Sequence, residues 1–537
     1  MKEIPNLNTD VLIIGGGATG HVAAWELARR GHEVIMLRTG AGASPGISGF
    51  NVPCAEAGDT VEKYIEDTNA SGRGQGGKEL TKALCEGALG LPEYLENLGF
   101  VFDRNADGSL FTRKSLGSSY GRVVGHGNSS GSMVLNILDS KLKQLDNFRV
   151  LSSARALRLI SDGKTVSGAF VYDEKEKAFF NVFAKATLLC TGGFAGIFPF
   201  TSNSKDISGD GAAMALLAGC GLIDMEFVQF EPSSAVWPPQ IRGKGVITTL
   251  FYEGAVMKNS LGERFMFKYD PRGECVNKDA LSHAIETEIR EGRGTEHGGV
   301  WFDASGVDTQ RLHDAYEPFI RRYASVGIDF TKEPVELANA AHTTIGGAQI
   351  DATCRSGLKG LYVAGEAAGH VHGSNRIGGS AGSETLVFGQ IAAASIKEDI
   401  DGLTLKKEAF VPASGSGSSI NPERLEEIRA EEKELIGEGA GVFRDGETLE
   451  RCAARMKELY EELLACGECE DPDLKCRLIR TQNDVVTAMA LFAAANARCD
   501  SCGSHQRTDY PDAPAENYHT LVRSDNHNIK TDKIINS

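Results

Sequence analysis

The segment that most constrains the fold lies near the N-terminus and reads TDVLIIGGGATGHVAAWELARRGHEVIML. An apolar strand at 11–14 runs into a glycine-rich turn, which is followed by an alanine-rich helix and a second apolar strand at 34–37. Glycines permit the tight turn, and they let backbone N–H groups at the helix N-terminus approach a pyrophosphate. Because strand, turn, helix and strand follow in order, the segment predicts a Rossmann-like α/β domain that binds a dinucleotide. The predicted contacts to this cofactor are Gly15, Gly17, Ala18, Thr19 and Gly20.

The end of the second strand departs from the usual dinucleotide pattern. Such domains commonly place an acidic residue there to bond the adenosine ribose, but this chain has Arg38 followed by Thr39. The ribose must therefore be held otherwise, with Arg38 as a predicted contact. The missing acid also argues against free NAD as the ligand.

Two later segments repeat the pattern of an apolar strand that ends in glycines: ATLLCTGGFAG at 186–196 and GLYVAGEAAG at 360–369. Glu366 directly follows the second of these strands. Its carboxylate is therefore predicted at the carboxyl edge of the sheet, where it can accept from sugar or ribityl hydroxyls. Such widely separated returns to one sheet mean that further domains are inserted between them.

The domain organisation follows from changes in composition along the chain. We expect a discontinuous dinucleotide-binding domain at 1–230 and 340–405, interrupted by an α+β capping domain at 231–339. The breaker-rich stretch VPASGSGSSINPER is then a linker to a helical bundle at 420–510, where Glu, Leu, Ala, Lys and Arg recur at helical spacing. The polar remainder at 511–537 is predicted to be a surface tail.

The net charge of the chain limits the kinds of molecule that it can bind by electrostatic attraction. With 56 Lys and Arg against 73 Asp and Glu, the formal net charge is -17, which argues against a nucleic-acid partner and gives no reason to expect attraction to an anionic membrane. An anionic substrate must therefore be drawn to a local cluster of cations. The lack of a signal sequence and of any run of about 18 apolar residues predicts a cytoplasmic protein without membrane insertion.

Twelve cysteines in 537 residues are too sparse to indicate a disulfide scaffold. Two pairs stand apart, Cys466 with Cys469 and Cys499 with Cys502. Such CxxC pairs are compatible with zinc, an iron–sulfur cluster or redox activity. The sequence between the pairs is interpreted as continuous helix without the turns of such sites, so unconnected helical thiols and no metal site are predicted.

Five motifs, in order, resemble those of the flavoprotein subunits of succinate dehydrogenase and fumarate reductase, with their relatives L-aspartate oxidase and adenylylsulfate reductase. The motifs are GGGATG, TGGFAG with SGDGAAMALLAG, HTTIGG, GLYVAGEAAG, and HGSNRIGG followed by VFG. The resemblance covers nearly the whole chain. It implies an FAD-binding domain of the glutathione-reductase type, an inserted capping domain and a C-terminal helical bundle. It also implies further FAD contacts at Thr191, Gly192, Asp210 and Ser383.

The resemblance assigns the substrate site to two of these motifs. It implies a substrate-binding histidine at His342 and a substrate-binding arginine at Arg376, each in a glycine-flanked loop at a strand edge. The planar guanidinium fork of Arg376 suits a carboxylate, and His342 offers a second donor. His372, and His370 beside it, either contact the substrate as well or only satisfy the loop.

The chain departs from the family at three positions. The dehydrogenases of the family tether FAD to a histidine soon after the second strand, but no histidine lies between His32 and His126, so FAD should be noncovalent. The family's histidine at the entrance to the capping domain is replaced by Glu231, which would repel a substrate carboxylate and so disfavours fumarate or succinate. The family's proton-shuttle arginine falls on Lys278, with Arg272 as a rival, and Lys278 is expected to pair with Glu231.

These residues together predict an FAD-dependent oxidoreductase that exchanges hydride between flavin N5 and a C–C bond of a carboxylate-bearing substrate. Arg376 and His342 would anchor the substrate, and Lys278 would move the proton. One alternative is L-aspartate oxidase-like chemistry, in which an ammonium meets Glu231; another is an electron-transfer subunit with an iron–sulfur partner, as in adenylylsulfate reductase. Because no haem-attachment motif is present, electrons are expected from a ferredoxin-like protein or another soluble carrier.

Overall fold

The computed structural model describes residues 4–40, 42–204, 206–246, 248–511, 513–525 and 528–535. Its strands are β1 Leu7–Ile14, β2 Val34–Leu37, β3 Phe50–Asn51, β4 Val123–Val124, β5 Phe148–Leu151, β6 Ala154–Ser161, β7 Val166–Asp173, β8 Ala178–Leu189, β9 Leu222–Ile223, β10 Val228–Ala235, β11 Val256–Lys258, β12 Val300–Asp303, β13 Val335–Thr344, β14 Gly347–Ala348, β15 Leu361–Val363, β16 Phe443–Arg444, β17 Gln506–Arg507, β18 Tyr518–Asp525 and β19 Asn528–Ile535. Its α-helices are α1 Ala18–Ala28, α2 Val61–Ser71, α3 Lys78–Leu89, α4 Leu91–Leu98, α5 Ser130–Leu142, α6 Asp210–Leu217, α7 Met266–Tyr269, α8 Lys278–Glu288, α9 Thr309–Ala324, α10 Ser380–Asp399, α11 Pro422–Gly439, α12 Gly446–Ala465 and α13 Pro472–Ala497. Within these described ranges, none of the helices is both long and apolar enough to cross a membrane.

The largest sheet has the order β5-β2-β1-β8-β7-β6, and β15 pairs with β8 beside this path. β5, β2, β1, β8 and β15 run parallel, whereas β7 is antiparallel to both β8 and β6. The middle of β1 is inaccessible to solvent on both faces, as expected for a central parallel strand. Ile14 and Val363 both pair with Leu189, so the carboxyl ends of β1, β8 and β15 lie side by side. The three glycine-rich segments therefore share one edge of the sheet, as the sequence predicts.

The capping domain is built on a second sheet with the order β10-β13-β12-β11. α8 packs on β10 and β13, and this domain has a hydrophobic core of its own that includes Leu281, Phe302 and Tyr323. The antiparallel pair β10 and β13 extends beyond 231–339 on both sides, so these two strands connect the capping domain to the main domain. Glu231 lies on β10 and His342 on β13, which puts both at this junction.

The helices α11, α12 and α13 pack against one another as the predicted helical bundle. The expectation of continuous helix from Cys466 to Cys499 is wrong at both ends, because α12 ends at Ala465, α13 begins at Pro472, and Cys499 and Cys502 follow the end of α13 at Ala497. Proline lacks the N–H that a continuing helix needs, but it fits the first turn of a new one. Cys466 and Cys469 therefore lie in an interhelical loop, and all twelve cysteines are free thiols.

The C-terminal segment, predicted to be a polar surface tail, is instead a β-hairpin. β18 pairs with β19 and with β9, in a sheet of order β14-β9-β18-β19. Tyr518, Leu521 and Val522 of β18 are buried, whereas β19 is largely exposed. The polar composition of β19 hid the hairpin at the sequence level, because only half of it buries an apolar face.

Candidate functional site

A large cavity of about 1180 Å³ lies between the carboxyl edge of the main sheet, the capping domain and the start of α10. We divide its lining into two parts. The cofactor end holds most residues predicted to contact the dinucleotide: Gly15, Gly17, Ala18, Thr19, Arg38, Thr191, Gly192, Asp210 and Glu366. The substrate end holds Glu231, Lys278, His342 and Arg376. Side chains from four distant stretches of sequence thus meet in one space.

The glycine turn after β1 brings backbone to the cofactor end. Gly15 has a φ of +121°, and a Cβ there would lie 2.2 Å from the carbonyl oxygen of Cys190. Gly20 lies behind the lining, where a Cβ would come within 2.1 Å of the carbonyl oxygen of Gly15, so its role is close packing. The N-terminus of α1 lines the cavity and has no acidic residue in its first turn, which suits an anion.

Arg38 stands where an acidic residue is usual and lies across the glycine turn. A Cβ on Gly16 would be only 2.4 Å from the Cδ of Arg38, so glycine is needed there for the arginine to pass. The guanidinium of Arg38 donates to Asp139 at 3.4 Å. The chain therefore offers a cation, rather than a carboxylate acceptor, beside the start of α1.

Glu366 follows β15 at the carboxyl edge of the sheet. Its Oε1 accepts a hydrogen bond from the backbone N–H of Thr344 at 3.0 Å. Burial, reinforced by the charge of Glu384, raises the pKa of Glu366 to about 7. This carboxyl group can therefore change between hydrogen-bond donor and pure acceptor near neutral pH.

At the substrate end, Glu231 and Lys278 form a buried ion pair in which the Nζ of Lys278 donates to the Oε2 of Glu231. The other carboxylate oxygen accepts from the Oγ of Ser233 at 2.8 Å. Burial raises the pKa of Glu231, but the ammonium of Lys278, together with His342 and the hydrogen bond from Ser233, holds it below its usual range. Burial lowers the pKa of Lys278; Glu231 opposes this decrease and Arg376 adds to it. The pairing expected from the sequence is present, and it leaves Lys278 a better proton donor than a solvated lysine.

His342 faces this ion pair as a neutral imidazole. Burial, with the charge of Lys278, lowers the pKa of His342 to about 3. Its Nδ1 is 2.8 Å from the Oγ of Ser202, and its Nε2 is 3.8 Å from the Oε2 of Glu231. The bond to Ser202 orients the ring, so His342 can serve as a hydrogen-bonding group but carries no charge at neutral pH.

Arg376 is buried and incompletely paired. Its NH1 donates to the carbonyl oxygen of Ile377 at 2.9 Å, and its NH2 donates to the Oγ1 of Thr343 at 3.3 Å. The Nε of Arg376 has no hydrogen-bond partner among the described residues. A buried guanidinium without a carboxylate partner is costly, so its remaining donor capacity suits the carboxylate of a ligand.

Sequence reasoning missed a network that fixes the spacing of Lys278 and Arg376. The side-chain amide of Gln229 donates to the Oδ1 of Asn375 at 2.7 Å and to the carbonyl oxygen of Arg376 at 2.9 Å. Asn375 in turn donates to the Oδ1 of Asp279 at 3.1 Å. Asn375 and Asp279 are chain neighbours of Arg376 and Lys278, so these bonds join α8 of the capping domain to the loop of Arg376. Like the bond from Ser202 to His342, they join distant residues and leave no local signal.

Two histidines that the sequence singled out lie outside the cavity lining. The Nε2 of His372 is 2.9 Å from the Oε2 of Glu384, which itself lines the cavity. The Nδ1 of His370 is 3.2 Å from the Oδ2 of Asp224. Neither histidine is brought to the substrate end.

Two further residues are also placed elsewhere. Arg272, the rival of Lys278, is exposed and pairs with Asp270 at 2.8 Å, so the geometry favours Lys278. Ser383, an expected FAD contact, donates to the carbonyl oxygen of Asn51 at 2.8 Å and joins α10 to β3.

Comparison with known proteins gives a consistent result. The chain matches the FAD binding domain family over residues 10–381 and the fumarate reductase flavoprotein C-terminal family over residues 429–535. It is 34% identical to one of the subunits of the CoM/CoB fumarate reductase of Methanothermobacter marburgensis, over 94% of this chain and 95% of that protein. It is 30% identical to L-aspartate oxidase of Yersinia pestis, over 94% of this chain and 96% of that protein.

Solved structures of the same group of enzymes have a similar fold. The E. coli quinol fumarate reductase flavoprotein superposes with a TM-score of 0.89 at 25% identity, over 99% of this chain and 97% of that chain. Adenylylsulfate reductase of Archaeoglobus fulgidus has the same fold, with a TM-score of 0.79 at 20% identity over 100% and 97% of the two chains. The expected α/β domain with a capping domain and a helical bundle is thereby confirmed.

The residues of the cofactor end fit FAD. The N-terminus of α1 and its glycine turn suit the pyrophosphate, and the half-buried carboxyl group of Glu366 suits a sugar or ribityl hydroxyl. The FAD binding domain match spans both of these segments. The chain belongs to the succinate dehydrogenase and fumarate reductase flavoprotein family and is an FAD-dependent oxidoreductase.

Proposed function

We propose that this enzyme exchanges hydride with a C–C bond of a substrate that carries one carboxylate, and that it is not a fumarate or succinate enzyme. The observation that carries the proposal is the pairing of Lys278 with Glu231, which leaves Arg376, of the four described residues that define the substrate end, as the cation without a carboxylate partner. FAD, noncovalently bound, supplies the hydride-exchanging centre.

Arg376 binds the substrate carboxylate. It is buried, its Nε lacks a partner among the described residues, and Thr343 holds its NH2. A charge-assisted, two-pronged bond to a carboxylate fixes orientation as well as affinity. His342 lies beside it as a neutral donor held by Ser202.

The Glu231–Lys278 pair itself offers no uncompensated charge to a second anion. The ammonium of Lys278 is compensated by Glu231, and Glu231 would lie close to any carboxylate placed there. A second carboxylate would have to break this ion pair, which costs several kcal/mol in a buried setting, about 3–5 by analogy with other pairs. A neutral or aromatic group is therefore favoured beside this pair.

Lys278 moves the proton that accompanies the hydride. It is buried, its pKa is lowered by that burial, and it lines the cavity from the start of α8. Glu231 holds the ammonium in place before the transfer and lies ready to hydrogen-bond the neutral amine after it, so the pair works as a donor with its own counter-charge. Electrons for repeated reduction come from a ferredoxin-like protein or another soluble carrier.

L-aspartate oxidase-like chemistry is the second candidate, because several relatives carry that name. In that case a substrate ammonium would meet Glu231. The structure weighs against it, since Glu231 already has Lys278 as its cation and a second ammonium would face a like charge.

The test is anaerobic photoreduction of the purified holoenzyme, followed by reoxidation with fumarate, monocarboxylic enoates, aryl enoates and iminoaspartate. We expect a monocarboxylic or aryl enoate to reoxidise the flavin fastest, and R376K to slow that reaction by about 10- to 100-fold. R272K, a change at a surface arginine paired with Asp270, is the matched control and should have no effect. Fastest reoxidation by fumarate or iminoaspartate would contradict the proposal, and reoxidation by none would favour a pure electron-transfer role.

A further inference from the structure

Three side chains that the proposed chemistry does not use lie close together next to the loop that carries Arg376. They are Asp224, in the turn after β9; His370, in the loop that leads to Arg376; and His519, on β18 of the C-terminal hairpin. We propose that they form a binding site for a divalent first-row transition-metal ion, such as zinc. No cysteine takes part, so this site differs from the CxxC alternatives that the sequence left open.

The donor set has the right chemistry and spacing. Two imidazoles and one carboxylate are ordinary ligands of zinc and of ferrous iron. The Nδ1 atoms of His370 and His519 lie 3.2 and 2.8 Å from the Oδ2 of Asp224, and the ligand atoms all lie within 4.8 Å of one another. Ligand atoms of a tetrahedral zinc site stand roughly 3.3 Å apart, so a metal ion would need only small movements. Among the described residues this is the one such group of three.

The three ligands are held in place by separate parts of the fold. The backbone N–H of Asp224 donates to the carbonyl oxygen of Thr520 at 2.9 Å, next to His519. The carbonyl oxygen of His370 accepts from the N–H of Gly77 at 2.8 Å. Asp224 and His370 also have φ values of +57° and +76°, a left-handed conformation that is uncommon for residues other than glycine, although Asp and His adopt it more readily than most. The ligands are therefore fixed before any ion arrives.

Burial and charge around the group also suit an ion. The side chains of Asp224 and His519 are 1% and 2% exposed, whereas that of His370 is 17% exposed and gives access from solvent. Two neighbouring charges compensate each other, since Glu226 pairs with Arg498 at 2.6 Å. The carboxylate of Asp224 faces the two imidazoles.

A metal ion at this position would connect three segments of the chain, two of which lead to residues of the substrate end. Asp224 lies four residues before β10, which carries Glu231; His370 lies six residues before Arg376; and His519 belongs to the C-terminal hairpin. Ligation would tie these three segments together, so we expect it to stabilise the docked hairpin. The alternative is a metal-free arrangement in which the two histidines hydrogen-bond the aspartate.

The experiment uses the FAD-loaded full chain, stripped with a chelator, with accessible thiols alkylated so that cysteines cannot take up the ion. Zinc binding is measured by equilibrium dialysis and metal analysis, and the melting temperature is recorded with and without zinc. We expect one zinc ion per chain, a melting temperature raised by zinc, and affinity lowered by about tenfold or more in H370Q and in H519Q.

H297Q is the matched control, because His297 pairs with the single carboxylate of Glu336 at 2.8 Å and has no second histidine. It should bind zinc as the wild type does. H370Q removes the most exposed of the three ligands, so it is the variant most certain to fold, and its flavin content checks this. Equal zinc binding and equal stabilisation in wild type and H370Q, or no zinc binding by the wild type, would overturn the proposal.

Discussion

The two ends of the cavity differ in what builds them. The cofactor end is formed largely by backbone, with a glycine turn, a helix N-terminus and glycine-rich segments after β1, β8 and β15. The substrate end is formed by side chains from two strands, one helix and one loop, and its net charge depends on the pairing of Glu231 with Lys278. A substitution that distorts the glycine turn should disrupt cofactor binding as a whole. A substitution of one charged side chain at the substrate end should change the charge of that end and leave the fold intact. We therefore expect the first end to be common to the family and the second to select the substrate.

The largest effect is expected from breaking the backbone of the cofactor end with G15A. The new Cβ would lie 2.2 Å from the carbonyl oxygen of Cys190 at a φ of +121°, so the turn must move and FAD should be lost on purification. G31A is the matched control, because Gly31 also has a positive φ of +93° but a Cβ there meets nothing within 4 Å. The ratio of flavin to protein absorbance measures both. Full FAD content in G15A would show that the turn does not set cofactor binding.

The next largest effect is expected at the substrate end, where K278M should lower both turnover and stability. Turnover should fall by about 100-fold or more, because the proton donor is removed. Stability should fall too, by about 3–5 kcal/mol, because Glu231 is left as an unpaired buried charge.

The double variant E231Q/K278M separates these two losses. It removes both charges, so the free energy of unfolding should recover while turnover stays low. R272M should behave as the wild type, since Arg272 pairs with Asp270 at the surface. Recovery of turnover in the double variant, or unchanged turnover in K278M, would remove Lys278 from the mechanism.

A smaller effect is expected at the cofactor end, where the affinity for FAD should depend on pH. Burial raises the pKa of Glu366 to about 7 in the FAD-free protein, whereas hydroxyl groups of FAD that donate to it would favour the carboxylate. FAD affinity should therefore be highest above pH 7 and fall as the pH drops below it, by up to about tenfold per pH unit. Titration of apoprotein with FAD at several pH values measures this. E366Q should bind more weakly with little pH dependence, and a wild-type affinity that is flat or rises on acidification would contradict the role of Glu366.

The sequence predicted what local patterns encode. The order of strand, glycine turn and helix and the shared sheet edge follow from motifs within a few residues, whereas the convergence of Glu366, His342 and Arg376 was implied by the family resemblance of those motifs. The pairing of Glu231 with Lys278 was also foreseen, because two charge changes that compensate each other are visible without coordinates.

The remainder depends on contacts between distant residues. Ser202 and His342 are 140 residues apart, and Gln229 and Asn375 are 146 apart, so no local pattern marks either pair. The C-terminal hairpin was missed for a related reason: β18 is buried because it pairs with β9 and packs against α13, both distant in sequence. The loop at 466–471 was missed because helical composition continues on both sides of it. Pro472 is the local signal for the break, since proline fits the first turn of a helix but not its interior.

The central claim is that the ion pair of Glu231 with Lys278 excludes a second substrate carboxylate. The most direct test compares the dissociation constants of succinate and butyrate for the oxidised holoenzyme, measured by flavin absorbance changes, in the wild type, E231Q and E384Q. Glu384 lines the same cavity but pairs with His372, so E384Q is the matched control. We predict that the wild type and E384Q do not prefer succinate, and that E231Q, with Lys278 unpaired, shifts the ratio toward succinate by about tenfold. An unchanged ratio in E231Q, or a wild type that already prefers succinate, would contradict the account.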